Sequence, residues 1–329
     1  MSEFKILFVS PRYYPFIGGV EYVVKSIAER LTKLNHKVVV FTGEPDINKP
    51  HNEIINDVHV IRWPTWCPNN AYHIPKMRNR LETVLRTLLK DVDIIHVHSA
   101  HAILPVYVGL EAKRLKPSIK LIFTPHYHAH GHTFLRELAW RLYWRKKIAT
   151  FIRIVNKVHA VSSVEVEYVM NHYPYARKKL EVIPNGVDGD VFRYKWVGQK
   201  SDYIMYAGRI EKYKRLELAI DIAKQLGLKM IIVGTGSYKR KIIKYAKKHY
   251  PGKVEFYPPQ PRHKYLKIIA KARYAINMSR YEAFSIFIAN ALAIGTPAIV
   301  SREIAMNLEA EVEALNSKAY LIRSARIET

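Results

Sequence analysis

A chain of 329 residues is too long for one ordinary domain, and an apolar share of 49% is ample for two cores. A single cysteine, Cys67, excludes an internal disulfide and fits a reducing cytoplasm, and no apolar run approaches the roughly 18 residues of a membrane-spanning helix. The 53 Lys and Arg against 28 Asp and Glu leave a formal charge of +25, which suits nucleic acid, an anionic membrane surface or acidic small substrates. No RNP, zinc-ligand or helix-turn-helix signature accompanies that charge, so nucleic acid is the least favoured of the three. The abundance of Ile, Lys and Tyr fits a thermophile, although Glu is not enriched as it usually is there.

Residues 1–10 carry an acid up front and a short apolar run, which reads as a first buried strand and not as a signal peptide. In chain order, the pattern then predicts strand 5–9, helix 20–34, strands 37–42 and 58–62, helix 76–89, strand 94–98, helix 104–115 and strand 120–124. A basic helix around 134–156, strand 157–161, a short helix from Val164 and strand 180–183 follow. Residues 185–201 are turn-rich and poorly periodic, which puts a boundary near 195 between domains 1–195 and 196–329. The second series is strand 203–207, helix 215–226, strand 229–233, helix 238–249, strand 254–257, helix 263–271, strand 274–277, helix 284–294 and strand 297–300. Beyond it, 301–315 reads as an acidic helix and 318–322 as a strand. Such alternation predicts α/β architecture with doubly wound parallel sheets in two similar halves around a cleft, ligands collecting beyond the carboxyl ends of the strands.

Two stretches of the second half carry the chemistry. Tyr206-Ala-Gly-Arg-Ile-Glu-Lys-Tyr-Lys214 leaves a strand and holds two cations before the next helix. Arg209 can fork onto phosphate oxygens, and Lys214 adds a point charge. In Ser279-Arg-Tyr-Glu-Ala-Phe-Ser285, a strand stops, Glu282 sits in the turn and a helix starts near Phe284 with free N–H groups that favour an anion. Glu282 repels phosphate, so its natural target is a sugar hydroxyl. Together they describe a site for a phosphate-linked sugar.

Gly208-Arg209 with Lys214, Ser279-x-x-Glu282, Pro184-Asn-Gly-Val-Asp188, Val233-Gly-Thr-Gly236 and Gly18-Gly-Val-Glu21 stand in one register from about residue 4 to about residue 301. In that order and spacing the chain resembles the retaining family 4 glycosyltransferases of GT-B fold. The resemblance implies two Rossmann-like domains facing a central cleft, the second holding a nucleotide diphosphate-sugar and the first a glycan or lipid-linked acceptor. It gives Arg209 and Lys214 the leaving diphosphate, and Glu282 and His126 the transferred sugar, His126 through Thr124-Pro125-His126. It lines the donor with Gly18, Gly19, Gly234, Gly236, Ala283, Phe284 and Ser285, and it needs no metal and no cofactor. Ala283 and Ser285 stand where glycines are common in the family, and Asn290 where a second Glu holds the ribose. Against that pattern, the terminal helices that brace the first domain in the family are expected to be absent, shortened or removed here. A noncatalytic relative that binds nucleotide sugar and a nucleotide-sugar epimerase of the same fold are the rival readings.

Three further features have a plain reading beside the functional one. Gly234 and Gly236 suit an ordinary strand-to-helix turn as well as close approach of a nucleotide. His96, His98, His101, His126, His128, His130 and His132 suggest a metal site, but no cysteine accompanies them, and a polar cleft lining or acceptor contact accounts for those other than His126. The cations around Trp140 and Trp144, with Arg141, Arg145, Lys146 and Lys147, suit either a helix packed on the first sheet or an anionic membrane surface met by 134–156, which places the protein in the cytoplasm or at the inner membrane face.

Overall fold

The computed structural model describes residues 3–16, 18–68, 72–127, 143–308, 313–316 and 319–322. The chain divides into two compact units, Met1–Ile183 and Pro184–Thr329.

In the first unit, β1 (Lys5–Ser10) is a continuous apolar run buried along nearly its whole length, as a central parallel strand requires. Helix α1 (Gly19–Lys33) buries Val23, Val24 and Ala28, packs Val20, Ile27 and Leu31 beside them, and ends where Asn35 turns left-handed at φ 64°. Then follow β2 (Lys37–Glu44), β3 (His51–Ile55), β4 (Val58–Trp66), β5 (Ile74–Pro75), α2 (Arg78–Leu88), β6 (Ile94–His98), α3 (Ile103–Leu115), β7 (Lys120–Thr124), α4 (Arg145–Ile154), β8 (Lys157–Ala160), α5 (Ser163–His172) and β9 (Leu180–Val182). The sheet runs β3-β4-β2-β1-β6-β7-β8-β9, with β5 paired to β4. The chain walks outward from β1 on one side and from β6 on the other, so the strand order reverses between them, which is where such sheets open a crevice at their carboxyl ends.

Strand β3 has no counterpart in the expected series. Its residues are mostly exposed and it pairs antiparallel with β4, so it lacks the apolar run of a central strand. The signal for it was the two-residue turn Asn56-Asp57, where both residues have positive φ, 49° and 65°, as the favoured hairpin turns demand.

The second unit contains β10 (Tyr203–Ala207), α6 (Leu216–Gln225), β11 (Lys229–Val233), α7 (Lys239–His249), β12 (Val254–Tyr257), α8 (Arg262–Lys271), β13 (Tyr274–Asn277), α9 (Ile286–Ile294), β14 (Ala298–Val300), α10 (Arg302–Asn307), β15 (Glu313–Asn316) and β16 (Ala319–Ile322), ordered β12-β11-β10-β13-β14-β16-β15. Here the order reverses between β10 and β13. Helix α9 is apolar on every side and correspondingly buried. The acidic helix expected over 301–315 is shorter, ending at Asn307, and Glu313–Asn316 instead pairs antiparallel with β16. The unpaired edge of β14 takes β16 as its partner, and β16 in turn takes β15.

The division falls before the boundary expected near 195, because 184–195 already belongs to the second core. Val187 and Val191 are buried with α8 and α9 residues, and Arg262 forks onto Asp190 with two contacts of 2.6 Å. That fork gives Asp190, and Asp188 at 3.8 Å from the same guanidinium, a structural role.

Candidate active site

Strands β10 and β13 are parallel neighbours in register Ile204↔Tyr274 and Met205↔Ala275, so the turns leaving them emerge side by side. A main-chain bond from Arg280 N–H to the Tyr213 carbonyl, 2.9 Å, ties the two turns together. Arg215, in left-handed conformation at φ 49°, donates through Nε to the Met278 carbonyl at 2.6 Å and through Nη2 to the Ser279 carbonyl at 3.2 Å. Asn277 shapes the second turn from below. Its Oδ1 accepts from Ser279 N–H (3.1 Å) and Ser279 Oγ (2.7 Å), and its Nδ2 donates to Ser285 Oγ (3.0 Å).

This scaffold brings Lys214 and Glu282 together. Lys214 is 6% exposed, and its Nζ lies 2.6 Å from Glu282 Oε2. Burial pulls the ammonium's pKa down, but the Glu282 carboxylate, with the Tyr213 phenol beside it, outweighs that and holds it above its ordinary value. A cation and a carboxylate assigned to phosphate and to sugar are therefore each other's partner. Arg209 is exposed two positions beyond β10, with Nη2 3.1 Å from Tyr213 Oη. Tyr206, wholly buried, donates its hydroxyl to the Arg209 carbonyl at 2.8 Å.

Gly234 and Gly236 lie against the Arg209 turn. A Cβ on Gly234 would sit 2.0 Å from the Gly208 carbonyl oxygen, and one on Gly236 would sit 2.2 Å from that of Ile210. Glycine is required here by the packing of two turns, bonded at Gly208 N–H to the Val233 carbonyl (3.0 Å) and Ile210 N–H to the Thr235 carbonyl (2.8 Å). Ala283 is half-buried, Phe284 packs on the core, and α9 begins at Ile286 with Ser285 as its cap, two residues later than the apolar pattern indicated. Asn290 sits in the middle of α9 at 1% exposure, its Nδ2 3.5 Å from Tyr265 Oη, so its amide is enclosed by the core.

The first unit holds the other expected residues. Gly18 caps α1 in extended conformation, and a Cβ there would meet only the carboxylate end of Glu21, while Gly19 faces open space. His126, half-buried after β7, has a left-handed backbone at φ 46°, and its Nε2 lies 3.1 Å from Nδ1 of the fully buried His98. The next residue, Tyr127, is clamped by its hydroxyl to His172 Nδ1 at 2.6 Å, and its N–H donates to Glu165. Glu165 also accepts Val161 N–H at 2.7 Å, and burial pushes its carboxyl up to about 7 against those two bonds.

His96 and His159 continue the cluster. His159 Nε2 is 2.7 Å from the Ile183 carbonyl, an acceptor only, so that nitrogen bears the proton and Nδ1 accepts the Thr124 hydroxyl at 2.9 Å. The Thr124 oxygen then accepts from His96 Nε2–H at 2.7 Å. Burial holds His96 and His126 down to about 3 and His98 and His159 below their ordinary range, so all four rings are neutral at pH 7. Among the described residues no three His, Cys, Asp or Glu side chains converge to hold a metal. His128, His130, His132, Trp140 and Arg141 lie outside the described residues. Trp144 packs on the first core with its indole N–H on the Ala100 carbonyl at 2.7 Å, so this tryptophan takes the packing role, while Lys146 and Lys147 face solvent.

Asn277, Arg215, His159 and Glu165 were not singled out from the sequence. For Glu165 a signal existed: Ser162-x-x-Glu165 is a capping-box spacing, and Ser162 Oγ accepts Glu165 N–H at 3.1 Å. The others looked like ordinary polar residues until their strand ends were adjacent.

Comparison with known proteins gives the site its context. The model of Glycosyltransferase Family 4 matches residues 17–191, and that of Glycosyl transferases group 1 matches 192–328. The chain is similar to a phosphatidylinositol N-acetylglucosaminyltransferase polypeptide of Arabidopsis thaliana, 22% identical over 91% of this chain and 68% of that protein. Its fold resembles sucrose-phosphate synthase from Thermosynechococcus elongatus (TM-score 0.71, 17% identity, 94% of this chain and 84% of that one). It also resembles Anabaena HepE, solved with UDP and glucose (TM-score 0.68, 16% identity, 93% and 83%).

Proposed function

Because the chain belongs to glycosyltransferase family 4, with the GT-B fold, we propose that it transfers a sugar from a nucleotide diphosphate-sugar with retention of anomeric configuration. The observation that carries this reading is the convergence of Arg209, Lys214 and Glu282 at the carboxyl ends of two neighbouring strands, where the strand order reverses. As the bond from the anomeric carbon to the diphosphate oxygen breaks, its electron pair stays on that oxygen, and Arg209 and Lys214 neutralise the charge. The acceptor hydroxyl oxygen bonds the anomeric carbon from the same face, and its proton passes to the departing phosphate. Glu282 orients hydroxyls of the sugar, and His126 donates a further hydrogen bond to it. The chemistry asks for no metal, since fixed cations do the neutralising.

For the acceptor we favour a lipid-linked or membrane-associated glycan. The name of the Arabidopsis relative, a phosphatidylinositol glycosyltransferase, supports a lipid acceptor, and the exposed Lys146 and Lys147 support engagement of an anionic surface. No helix among the described residues is long and apolar enough to cross a membrane. The deciding experiment incubates the protein with UDP- and ADP-linked glucose and N-acetylglucosamine, with and without lipid extract, in excess chelator, and reads nucleoside diphosphate release. Release that requires acceptor supports the reading. Release only after a divalent metal is restored would overturn the metal-free mechanism, and tight binding without any release would favour a noncatalytic relative.

A further inference from the structure

Behind His126 stands a residue with no role so far. His98 ends β6 at 0% exposure, its ring 5.4 Å from that of His126 and 4.2 Å from that of His96, with Phe8 on its other side at 5.7 Å. Its ring's only hydrogen-bond contact among the described residues is Nδ1 to His126 Nε2, 3.1 Å, while its own Nε2 is buried without a partner. One of the two facing nitrogens must carry the proton, and the two choices differ in cost. If His126 Nε2–H donates, His98 carries its proton on Nε2 and buries an N–H with nothing to receive it. If His98 Nδ1–H donates, only a lone pair is left unmet, the milder defect in a protein interior.

We propose that His98 is a positioning residue that locks His126 in the tautomer protonated at Nδ1, leaving that N–H as the ring's donor toward the transferred sugar. The proposal rests on the assignment of His126 to the sugar. Backbone geometry adds to it: His126 is left-handed at φ 46°, an uncommon conformation for a non-glycine residue, and the clamped Tyr127 beside it holds the ring in front of His98. The charged and titratable groups acting on this pair are His96 and His159, both neutral at pH 7 and both turned to Thr124. Nothing else among them competes for His126 Nε2.

The test uses the full chain labelled with 15N-histidine. Long-range 1H–15N spectra report which nitrogen of each ring is protonated, and His126 is assigned by its absence from His126→Ala. The expected result is His126 protonated at Nδ1 and bare at Nε2. In His98→Phe, which keeps an aromatic body but removes the donor, the His126 signals should move to the average of two tautomers. Nucleoside diphosphate release from the active sugar nucleotide should fall by about tenfold in kcat with KM little changed, the size expected for losing one hydrogen bond. His98→Asn, whose amide N–H reaches nearly as far as Nδ1, should restore the tautomer and most of kcat. An Nε2-protonated His126 in the parent protein overturns the proposal even if no variant folds. Unchanged tautomer and kcat in a folded His98→Phe also overturn it. If the tautomer is as stated but His126→Ala keeps full activity, the functional assignment of His126 fails while the positioning by His98 stands.

Discussion

Lys214 Nζ and Glu282 Oε2 are 2.6 Å apart, so the site contains a preformed ion pair where separate phosphate and sugar contacts were expected. In the proposed reaction a donor phosphate would share or take the Lys214 ammonium, and Glu282 would turn to a sugar hydroxyl. On that reading the pair would link donor binding to sugar orientation. It also sets the cost of breaking either half.

Glu282→Ala leaves an ammonium unpaired at 6% exposure and should destabilise the second unit by about 3–5 kcal/mol, whereas Lys214→Met removes the buried charge itself and should cost less. Urea unfolding of the two variants and of the double variant measures this. Equal single losses that simply add would show that the two side chains are not coupled.

Arg209→Ala should separate catalysis from stability. The side chain is exposed, so the unfolding midpoint should stay put, while turnover falls by about a hundredfold through loss of a cation aimed at the leaving group. Turnover within threefold of the parent would remove Arg209 from the phosphate site.

Gly234→Ala should act on the fold before it acts on the donor. Gly234 has φ 152°, and its Cβ would stand 2.0 Å from a main-chain oxygen, so the expected loss is above about 2 kcal/mol. Gly19→Ala has open space around the new methyl and should leave the midpoint within about 0.5 kcal/mol. Thermal unfolding compares them directly. A stable Gly234→Ala would return that position to a role in binding only.

Acid should unfold the first unit early. His96, His98, His126 and His159 have pKa values lowered by burial, so below the ordinary value of 6.5 the unfolded chain binds more protons than the fold. Stability is therefore full above about 6.5 and is lost as pH falls toward 3. Glu165 opposes this between its ordinary 4.5 and its raised value of about 7, where the fold holds the extra proton, but it is one group against four. Denaturant midpoints from pH 7.5 to 5 should drop steeply. His96→Gln, which keeps a donor for Thr124 without titrating, should reduce the slope by up to about 1.4 kcal/mol per pH unit. A flat profile in the parent protein would mean that these rings are solvated.

If Lys146 and Lys147 meet an anionic surface, the protein should sediment with vesicles rich in phosphatidylserine at low salt and release as ionic strength rises, because the attraction is screened over roughly 10 Å at 0.1 M. Lys146→Ser with Lys147→Ser should weaken sedimentation. Trp144 should remain shielded from quenchers whether or not vesicles are present, since its indole is bonded to Ala100. Absence of binding at the lowest salt would leave a soluble acceptor as the better reading.

Much of the fold was legible in the sequence because its signals are local. Ile94–His98, Lys120–Thr124, Tyr203–Ala207, Lys229–Val233 and Tyr274–Asn277 run over the residues read from apolar runs between turns, as the inner strands of parallel sheets must, and the less buried edge strand Val254–Tyr257 also falls where it was read. Arg209, Lys214 and Glu282 were legible as strand-end residues for the same reason. What only the tertiary structure decided are relations between distant residues. Lys214 meets Glu282 across 68 positions and His98 meets His126 across 28, and neither spacing carries a periodic signal. Asn290 stands where the family's ribose contact stands, and only the fold shows that α9 encloses its amide; Gly234 and Gly236 suited an ordinary turn as well as a nucleotide approach, and only the fold shows how closely the neighbouring turn packs on them. The edge strands β3 and β15 depend on a partner strand supplied from elsewhere in the chain, so their own residues, lacking a central strand's apolar run, could not announce them. Local patterning determines which segments are strands and helices, since it acts through bonds and burial a few residues apart. Charge pairing, tautomer choice and the enclosure of a polar group depend on what stands opposite, and that is known only when the strands are side by side.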